Sequence, residues 1–136
     1  MKYLFDASAL LNLVRRLEEE SLKILEEYYI LTLTIYEVGN ALWRETRLSR
    51  RLTMDEAEAI MRAIITLIKF MQVIELQDPI EVLRISNEIE TIFYDAAYVV
   101  AALRRGLILV TDDRRLVARM ERYRDTILKE YGKNCI

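Results

Sequence analysis

Short apolar segments alternate with longer helical patterns along this 136-residue chain. Four such segments, residues 3–5, 30–33, 73–76 and 107–110, read as strands that are buried on both faces of a sheet. Because a helical pattern separates each strand from the next, we expect the strands to run parallel. The alternation predicts an α/β fold with a central parallel sheet of four to five strands, covered by helices on both faces.

Helical patterns fill the intervals, and several carry a start or stop signal. Thr34 is expected to be the N-cap of the helix after the second strand, and Thr53 with Glu56 forms a capping box ahead of the next helix. Gly106 is expected just past the end of a later helix. Residues 126–128 form either a last edge strand or part of a helix. The predicted helices cover about residues 8–17, 19–28, 34–49, 54–70, 95–104 and 113–123, with another that begins at Pro79.

Composition narrows the class of protein. With 53% hydrophobic residues, the chain can fill the core of one domain, expected to span residues 1–136. The 20 basic and 22 acidic side chains give a net charge of −2, which argues against a purely electrostatic nucleic-acid binder. The chain has no histidine, which excludes Ser-His-Asp chemistry and imidazole-based zinc sites. An enzyme with this sequence would work mainly with carboxylates.

The sequence also indicates the compartment. Cys135 is the single cysteine, so no intrachain disulfide can form, and a reducing environment is favoured. Asp6 interrupts the first apolar segment before a signal sequence could develop. No uncharged run approaches 18 residues, so a membrane span is not expected. We expect a cytoplasmic protein.

Acidic residues follow the predicted strands. Asp6 comes after the first strand, Asp112 and Asp113 come after the fourth, and Glu37 lies in the first turn of the helix after the second. Asp95 opens the helix that leads into the fourth strand, so it begins at the same edge. The carboxyl ends of parallel strands share one edge of the sheet, where open α/β sheets bind their ligands. Acids from four distant segments are therefore expected to converge.

Two interpretations of these acids compete. Asp6, Asp95 and Asp113 each precede or open a helix, where aspartate is a common N-cap, and Glu37 could offset a helix dipole. Four caps on one edge would however repel one another. A bound divalent cation removes that repulsion, and oxygen ligands without His or Cys indicate Mg²⁺ or Mn²⁺.

Two polar residues lie close to these acids in sequence. Ser8 comes two residues after Asp6 and could donate a hydrogen bond that orients its carboxylate. Asn40 lies one helical turn after Glu37 and faces the same way. A serine at a helix start and a surface amide are the simpler explanations, and the local sequence leaves both open.

An ordered set of motifs resembles the PIN-domain ribonucleases, and most of all the VapC toxins of bacterial and archaeal toxin–antitoxin pairs. The matching segments are residues 6–8, "YEVGNALWR" (36–44), "FYDAAYVVAA" (93–102) and "LVTDDRRL" (109–116). The resemblance covers roughly residues 2–120. It implies a three-layer α/β/α sandwich, Mg²⁺- or Mn²⁺-dependent RNA cleavage, homodimers and a small cognate antitoxin.

The resemblance also assigns roles to individual residues. Asp6, Glu37 and Asp95 match the first three catalytic acids of the family, and a Thr-x-Asp pattern selects Asp113 as the fourth, with Thr111 beside it. Metal ligation is implied for the three aspartates of this set. Ser8, Asn40, Thr111 and Asp112 are expected to support the site, Asp112 as an accessory residue in the variable middle position.

Basic and aromatic residues suggest contacts with partners. Four arginines near the acids, Arg44, Arg47, Arg114 and Arg115, could attract the RNA backbone or simply form solvated helix faces. The chain has more apolar and aromatic residues than a small core needs: Tyr28, Tyr29, Trp43 and those of helix 54–70. This surplus predicts a homodimer. It also predicts an apolar contact with an antitoxin segment that places a basic side chain near the acids.

Other families fit less well. A haloacid-dehalogenase-type enzyme would need a second aspartate two residues after Asp6, where Ser8 stands. A receiver domain would need a phosphorylatable aspartate after the third strand, where residues 77–79 instead open a helix. The remaining alternative is an inactive PIN-like module that binds RNA or a protein partner without cutting. Retention of four acids argues against it.

Overall fold

The computed structural model describes residues 2–16 and 25–131. The strands are β1 (Tyr3–Phe5), β2 (Tyr28–Leu31), β3 (Gln72–Ile74) and β4 (Ile108–Val110). The helices are α1 (Ala7–Arg16), α2 (Thr34–Trp43), α3 (Met54–Ile68), α4 (Pro79–Glu88), α5 (Phe93–Arg105), α6 (Arg114–Arg122) and α7 (Arg124–Tyr131). A π-helical turn, Arg44–Leu48, continues α2, and a 3₁₀ turn at residues 25–27 precedes β2.

The four strands form one parallel sheet in the order β3-β2-β1-β4. Tyr3 pairs with Tyr28 on one side and with Ile108 on the other, which places β1 at the centre of the sheet. All carboxyl ends of the strands consequently meet at one edge. The sheet confirms the predicted α/β class with parallel strands.

Helices cover both faces of the sheet, and each face has its own core. Successive strand residues point to opposite faces, so Leu4 packs with α4 and α5 while Phe5 packs with α1, α2 and α3. In β2, Ile30 and Leu31 divide between the two cores in the same way. The architecture is the expected α/β/α sandwich.

Local end signals explain several helix boundaries. The Thr53 side chain accepts from the Glu56 amide and the Glu56 carboxylate accepts from the Thr53 amide, each at 3.1 Å, which confirms the capping box. Asp78 caps α4 ahead of Pro79, as expected for proline at the first helical position. Gly106 ends α5 with a φ of 64°, a left-handed conformation that glycine adopts without strain.

Some predicted boundaries are wrong. The second strand begins at Tyr28 and ends at Leu31, two residues earlier than predicted. The N-cap position of α2 is Leu33, and Thr34 is the first helical residue. Of the helix predicted over 19–28, residues 19–24 lie outside the described part, and Tyr28 already belongs to β2.

The structure also decides two points that the sequence left open, at residues 126–128 and at Tyr28. Residues 126–128 lie in α7 and form no edge strand, so the sheet has four strands in the described ranges. Tyr28 is partly buried, with its ring 4.7 Å from that of Phe5, and therefore belongs mainly to the core. None of the described helices is long and apolar enough to cross a membrane.

Candidate active site

Asp6 lies directly after β1 and is buried, with 7% of its surface exposed. Its Oδ1 atom accepts hydrogen bonds from the Ser8 hydroxyl (2.8 Å) and the Ala9 amide (2.9 Å). Asp6 therefore stabilises the start of α1, as the capping interpretation expects. Its second oxygen, Oδ2, has no hydrogen-bond partner within residues 2–16 and 25–131. One carboxylate can thus be both a cap and a ligand.

Asp113 follows the same pattern after β4. It is the N-cap of α6, and its Oδ1 accepts from the amides of Arg115 (2.9 Å) and Leu116 (3.3 Å). The Asp113 amide donates to the Thr111 hydroxyl at 3.0 Å, which explains the role of the threonine in the turn. In the described part of the chain, Oδ2 of Asp113 accepts no hydrogen bond. This oxygen is free for a ligand.

Asp95 is not an N-cap. Helix α5 begins at Phe93 after the N-cap residue Ile92, so Asp95 lies in the first turn. No described residue donates a hydrogen bond to its half-buried carboxylate. The pKa of Asp95 is raised to about 6, mainly by burial and then by the charges of Asp113, Glu37 and Asp6, in that order of effect. The carboxylates of four separate segments therefore act on one another electrostatically.

Glu37 is held by a chain of hydrogen bonds from the buried side of the site. The Tyr98 hydroxyl donates to Glu37 Oε1 at 2.7 Å, and it lies 2.8 Å from the Thr34 hydroxyl. Because the Tyr98 proton goes to the carboxylate, Thr34 is the donor in that second bond, and its oxygen accepts from the Leu31 amide. Burial raises the pKa of Glu37, the Tyr98 bond lowers it, and the charge of Asp6 raises it.

Thr34 and Tyr98 are site residues that sequence reasoning missed. Thr34 was predicted as a cap, but it is fully buried and contacts Tyr98, 64 positions away. A usable signal existed for Tyr98, because it lies three positions after Asp95 on α5 and hence on the same helix face. Thr34 and Tyr98 hold Glu37 in place from the buried side of the site.

Asp112 points toward α1. Its amide donates to the Ser8 hydroxyl at 3.3 Å, and its Oδ2 accepts from the Asn12 amide group. Ser8 thus links the Asp6 carboxylate to the segment after β4, which agrees with a supporting role. Asn12 was also missed, although it lies one helical turn after Ser8. Asp112 is therefore tied to the scaffold, while the charge of Asp113 acts on Asp95.

The predicted basic residues are all exposed, and one of them lines a cavity beside the acids. Arg44 lines a cavity of about 570 Å³ together with Glu37 and Asn40. Three more arginines are exposed, one in the π-helical turn and two at the start of α6: Arg47, Arg114 and Arg115. No ion pair engages any of the four within the described ranges. They are therefore available to an anionic ligand.

The donor chemistry of the acids fits a hard divalent cation. All four side chains offer carboxylate oxygens, and free oxygens remain on Asp6, Asp95 and Asp113. Burial is the main cause of the raised pKa of Asp95 and the charges of the other three acids add to it; a cation would relieve that repulsion. As placed, no three acidic or thiol side chains of the described residues are grouped tightly enough to hold one ion. The ligands are available but not preassembled.

The sequence that carries this arrangement matches the model of a known protein family. Residues 3–122, which carry all four acids, match the model of the PIN domain. The chain belongs to the PIN domain family. That membership removes the haloacid-dehalogenase and receiver interpretations.

Two individual proteins are similar to this chain over most of its length. It is 44% identical over 119 residues to "Exonuclease VapC9" of Pyrobaculum aerophilum, a match that covers 88% of this chain and 86% of the relative. The crystal structure of PAE2754 from Pyrobaculum aerophilum is similar, with a TM-score of 0.76 and 41% identity, covering 88% of this chain and 79% of the other. These relatives support the family assignment in both sequence and fold.

Proposed function

We propose that this PIN domain, taken as a single unit of residues 1–136, is a Mg²⁺- or Mn²⁺-dependent endoribonuclease and the toxin of a VapBC-type pair. The observation that carries the proposal is the position of Asp95, which holds an unbonded carboxylate beside three other acids at the carboxyl edge of the sheet. The relative named as a VapC exonuclease supports nuclease activity in general.

Each acid has a distinct part in the proposed reaction. Asp6, Asp95 and Asp113 would hold the cation, with Asp6 and Asp113 fixed by their cap hydrogen bonds and presenting the free oxygen of each carboxylate. When bound, a divalent cation neutralises charge on the phosphate and lowers the pKa of water. The acids alone would repel a phosphodiester, so in this proposal their part is to hold the cation.

Glu37 is suited to receive the proton of the attacking water. Tyr98 fixes one of its carboxylate oxygens at 2.7 Å, and burial raises its pKa toward the working pH. Hydrolysis forms a bond from the water oxygen to phosphorus and breaks the bond to the leaving sugar oxygen, which takes up a proton. The four exposed arginines would bind flanking phosphates.

The relative's name favours a second candidate, cleavage from an RNA end. Internal and end-directed cleavage use the same carboxylate chemistry, so the acids do not distinguish them. A covalently closed circular RNA has no ends and is cut only by an endonuclease. We expect circular RNA to be cut; a protein that degrades linear RNA alone would support the exonuclease candidate.

The proposed partners are RNA, a small cognate antitoxin and a second copy of the chain, in the cytoplasm. A groove of about 280 Å³ between α2 and α3 is lined by Gly39, Leu42, Trp43, Met54 and Met61. Trp43 and Met54 are exposed there. An exposed, largely apolar groove of this kind supports a protein interface.

A cleavage assay tests the proposal. Chelator-treated protein is incubated with single-stranded RNA, with and without Mn²⁺ or Mg²⁺, beside the variant Asp95→Asn. We expect cleavage that requires the metal and is lost in the variant. Metal-dependent binding of RNA without any cleavage by the wild type would instead support the inactive-module alternative.

A further inference from the structure

Two exposed tyrosines line a cavity beside the candidate acids. The cavity has a volume of about 570 Å³, and Tyr36, Glu37, Asn40, Arg44 and Tyr94 are among its lining residues. Tyr36 directly precedes Glu37 on α2, and Tyr94 directly precedes Asp95 on α5. Each of the two tyrosines therefore lies beside one of the candidate acids near the start of a helix.

The exposure of these rings has no explanation within the fold. Tyr36 is 78% exposed and Tyr94 is 57% exposed, whereas Tyr98 on the same helix as Tyr94 is fully buried. In residues 2–16 and 25–131, neither exposed ring makes a hydrogen bond or a contact with another aromatic ring. Leaving two large aromatic faces in water gains nothing for stability. Their placement is better explained by a ligand.

The lining of the cavity specifies the chemistry of that ligand. Aromatic faces bind planar bases by stacking, the Arg44 guanidinium favours an anionic phosphate, and the Asn40 amide offers hydrogen bonds. Few ligands other than a nucleotide combine a flat apolar ring with a phosphate. Bases inside a duplex are already stacked on each other, so only an unpaired nucleotide can use the rings.

We propose that Tyr36 and Tyr94 form a stacking site for unpaired bases of a single-stranded nucleic acid next to the reacting phosphate. This inference rests on the proposed nuclease function and adds to it the two side chains that hold the bases beside the acids. A duplex, whose bases are stacked on each other, offers no free base face to the two rings.

The test measures binding and cleavage separately. Binding of a fluorescein-labelled single-stranded RNA decamer is followed by anisotropy in chelator, so no cleavage occurs, for the variants Tyr36→Ala, Tyr94→Ala, Tyr36→Phe and Tyr94→Phe. Leu83→Ala is the control, because Leu83 is 56% exposed on α4 and lies outside the cavity. Thermal melts check that every variant is folded.

We expect each alanine variant to bind the single strand roughly five- to 150-fold more weakly, because stacking on an aromatic side chain contributes about 1–3 kcal/mol per base. The phenylalanine variants, which keep the ring, should bind as the wild type does, as should Leu83→Ala. With Mn²⁺, the alanine variants should show a raised KM and a smaller change in kcat.

Unchanged single-strand binding in both alanine variants would overturn the inference and leave the cavity to another class of ligand, such as a protein segment. If the alanine variants lost affinity for duplex RNA by the same factor as for single-stranded RNA, the inference would also be overturned, since the losses would reflect backbone contacts. If the wild type cuts RNA in the same experiment, the proposed function survives either outcome. A wild type that binds single strands through the tyrosines but never cuts them would refute the nuclease proposal alone.

Discussion

Tyr98 donates a 2.7 Å hydrogen bond to Oε1 of Glu37 and thereby joins the middle of α5 to the first turn of α2. The bond joins a fully buried side chain to a partly exposed one, since Tyr98 is fully buried and Glu37 is only partly so. It orients the glutamate and opposes the effect of burial on its pKa. A residue in the interior of the protein therefore influences the orientation and the pKa of Glu37, the proposed base of the reaction.

Tyr98→Phe should shift the pH dependence of cleavage. Loss of the hydrogen bond removes an effect that lowers the pKa of Glu37, so a higher pH is needed to deprotonate it, and the acid limb of the kcat profile should move upward. Stability should fall by about 1–3 kcal/mol, because the buried Thr34 hydroxyl loses its acceptor. Tyr123→Phe, which removes the surface bond to Glu90, is the control. An unshifted profile would exclude Glu37 as the base.

Saturating Mn²⁺ or Mg²⁺ should raise the melting temperature of the chelator-treated protein. A ligand that binds only the native state stabilises it by about 2.7 kcal/mol at a concentration 100 times its Kd. Asp55, an exposed acid in the first turn of α3, provides the control variant Asp55→Asn, which should retain the full shift. Calorimetry that detects no binding at millimolar metal, together with unchanged melting, would refute a metal site.

Asp95→Asn should make the metal-free protein as stable as the wild type or more so, by up to about 1 kcal/mol, because a partly solvated repelling charge is removed. The folded-state pKa of Asp95, about 6, exceeds the reference value of 3.8. The folded wild type therefore binds more protons than the unfolded chain, and it loses stability as the pH rises between these values.

Urea melts in chelator at pH 5 and pH 7.5 measure this effect. The stability difference between Asp95→Asn and the wild type should grow toward the higher pH. Asp78→Asn, at an exposed cap, should show no such growth. A variant that is less stable at both pH values would indicate a favourable interaction of the Asp95 charge with the helix dipole.

Much of this site could be predicted from the sequence because topology determines it. Parallel strands separated by helices bring Asp6, Glu37, Asp95 and Asp113 to one edge regardless of the details of packing. The residues at which the strands end were harder to predict. The run from Tyr28 to Leu33 is interrupted only by Thr32, which strands also accommodate, so no strong local signal marks where β2 stops.

Features that depend on tertiary contact escaped the sequence analysis. Thr34 resembles a cap locally, and only its contact with Tyr98 across the sheet edge explains its burial. The start of α5 at Phe93 has no capping side chain, so Asp95 could not be distinguished from an N-cap in advance. For residues 126–128 three positions are too few to separate a helical period from a strand period.

The groove between α2 and α3 should serve as a protein interface. Trp43 is the largest exposed apolar side chain of this groove, and exposed tryptophans at interfaces often dominate the binding energy. Trp43→Glu should weaken a homodimer roughly tenfold or more, measured by light scattering over a concentration series. Leu83→Glu on α4 is the control. A wild type that is monomeric at tens of micromolar would contradict the dimer.

Asp113 separates capping from ligation most directly, because its two oxygens have different surroundings. Asp113→Asn keeps an oxygen that can accept from the Arg115 and Leu116 amides, so its metal-free stability should match that of the wild type. Asp113→Ala loses the cap and should be less stable by about 1 kcal/mol. Cleavage and metal stabilisation should be lost in both variants, since each removes the free carboxylate oxygen.

Asp78→Ala supplies the matched comparison, because Asp78 accepts from two backbone amides at the start of α4 at 3.1 Å. It should cost a similar free energy of unfolding while cleavage remains. Urea melts in chelator and RNA cleavage with Mn²⁺ are measured on all four proteins. If Asp113→Asn cuts RNA as the wild type does, Asp113 is a cap alone, and the cation must be held by the remaining acids.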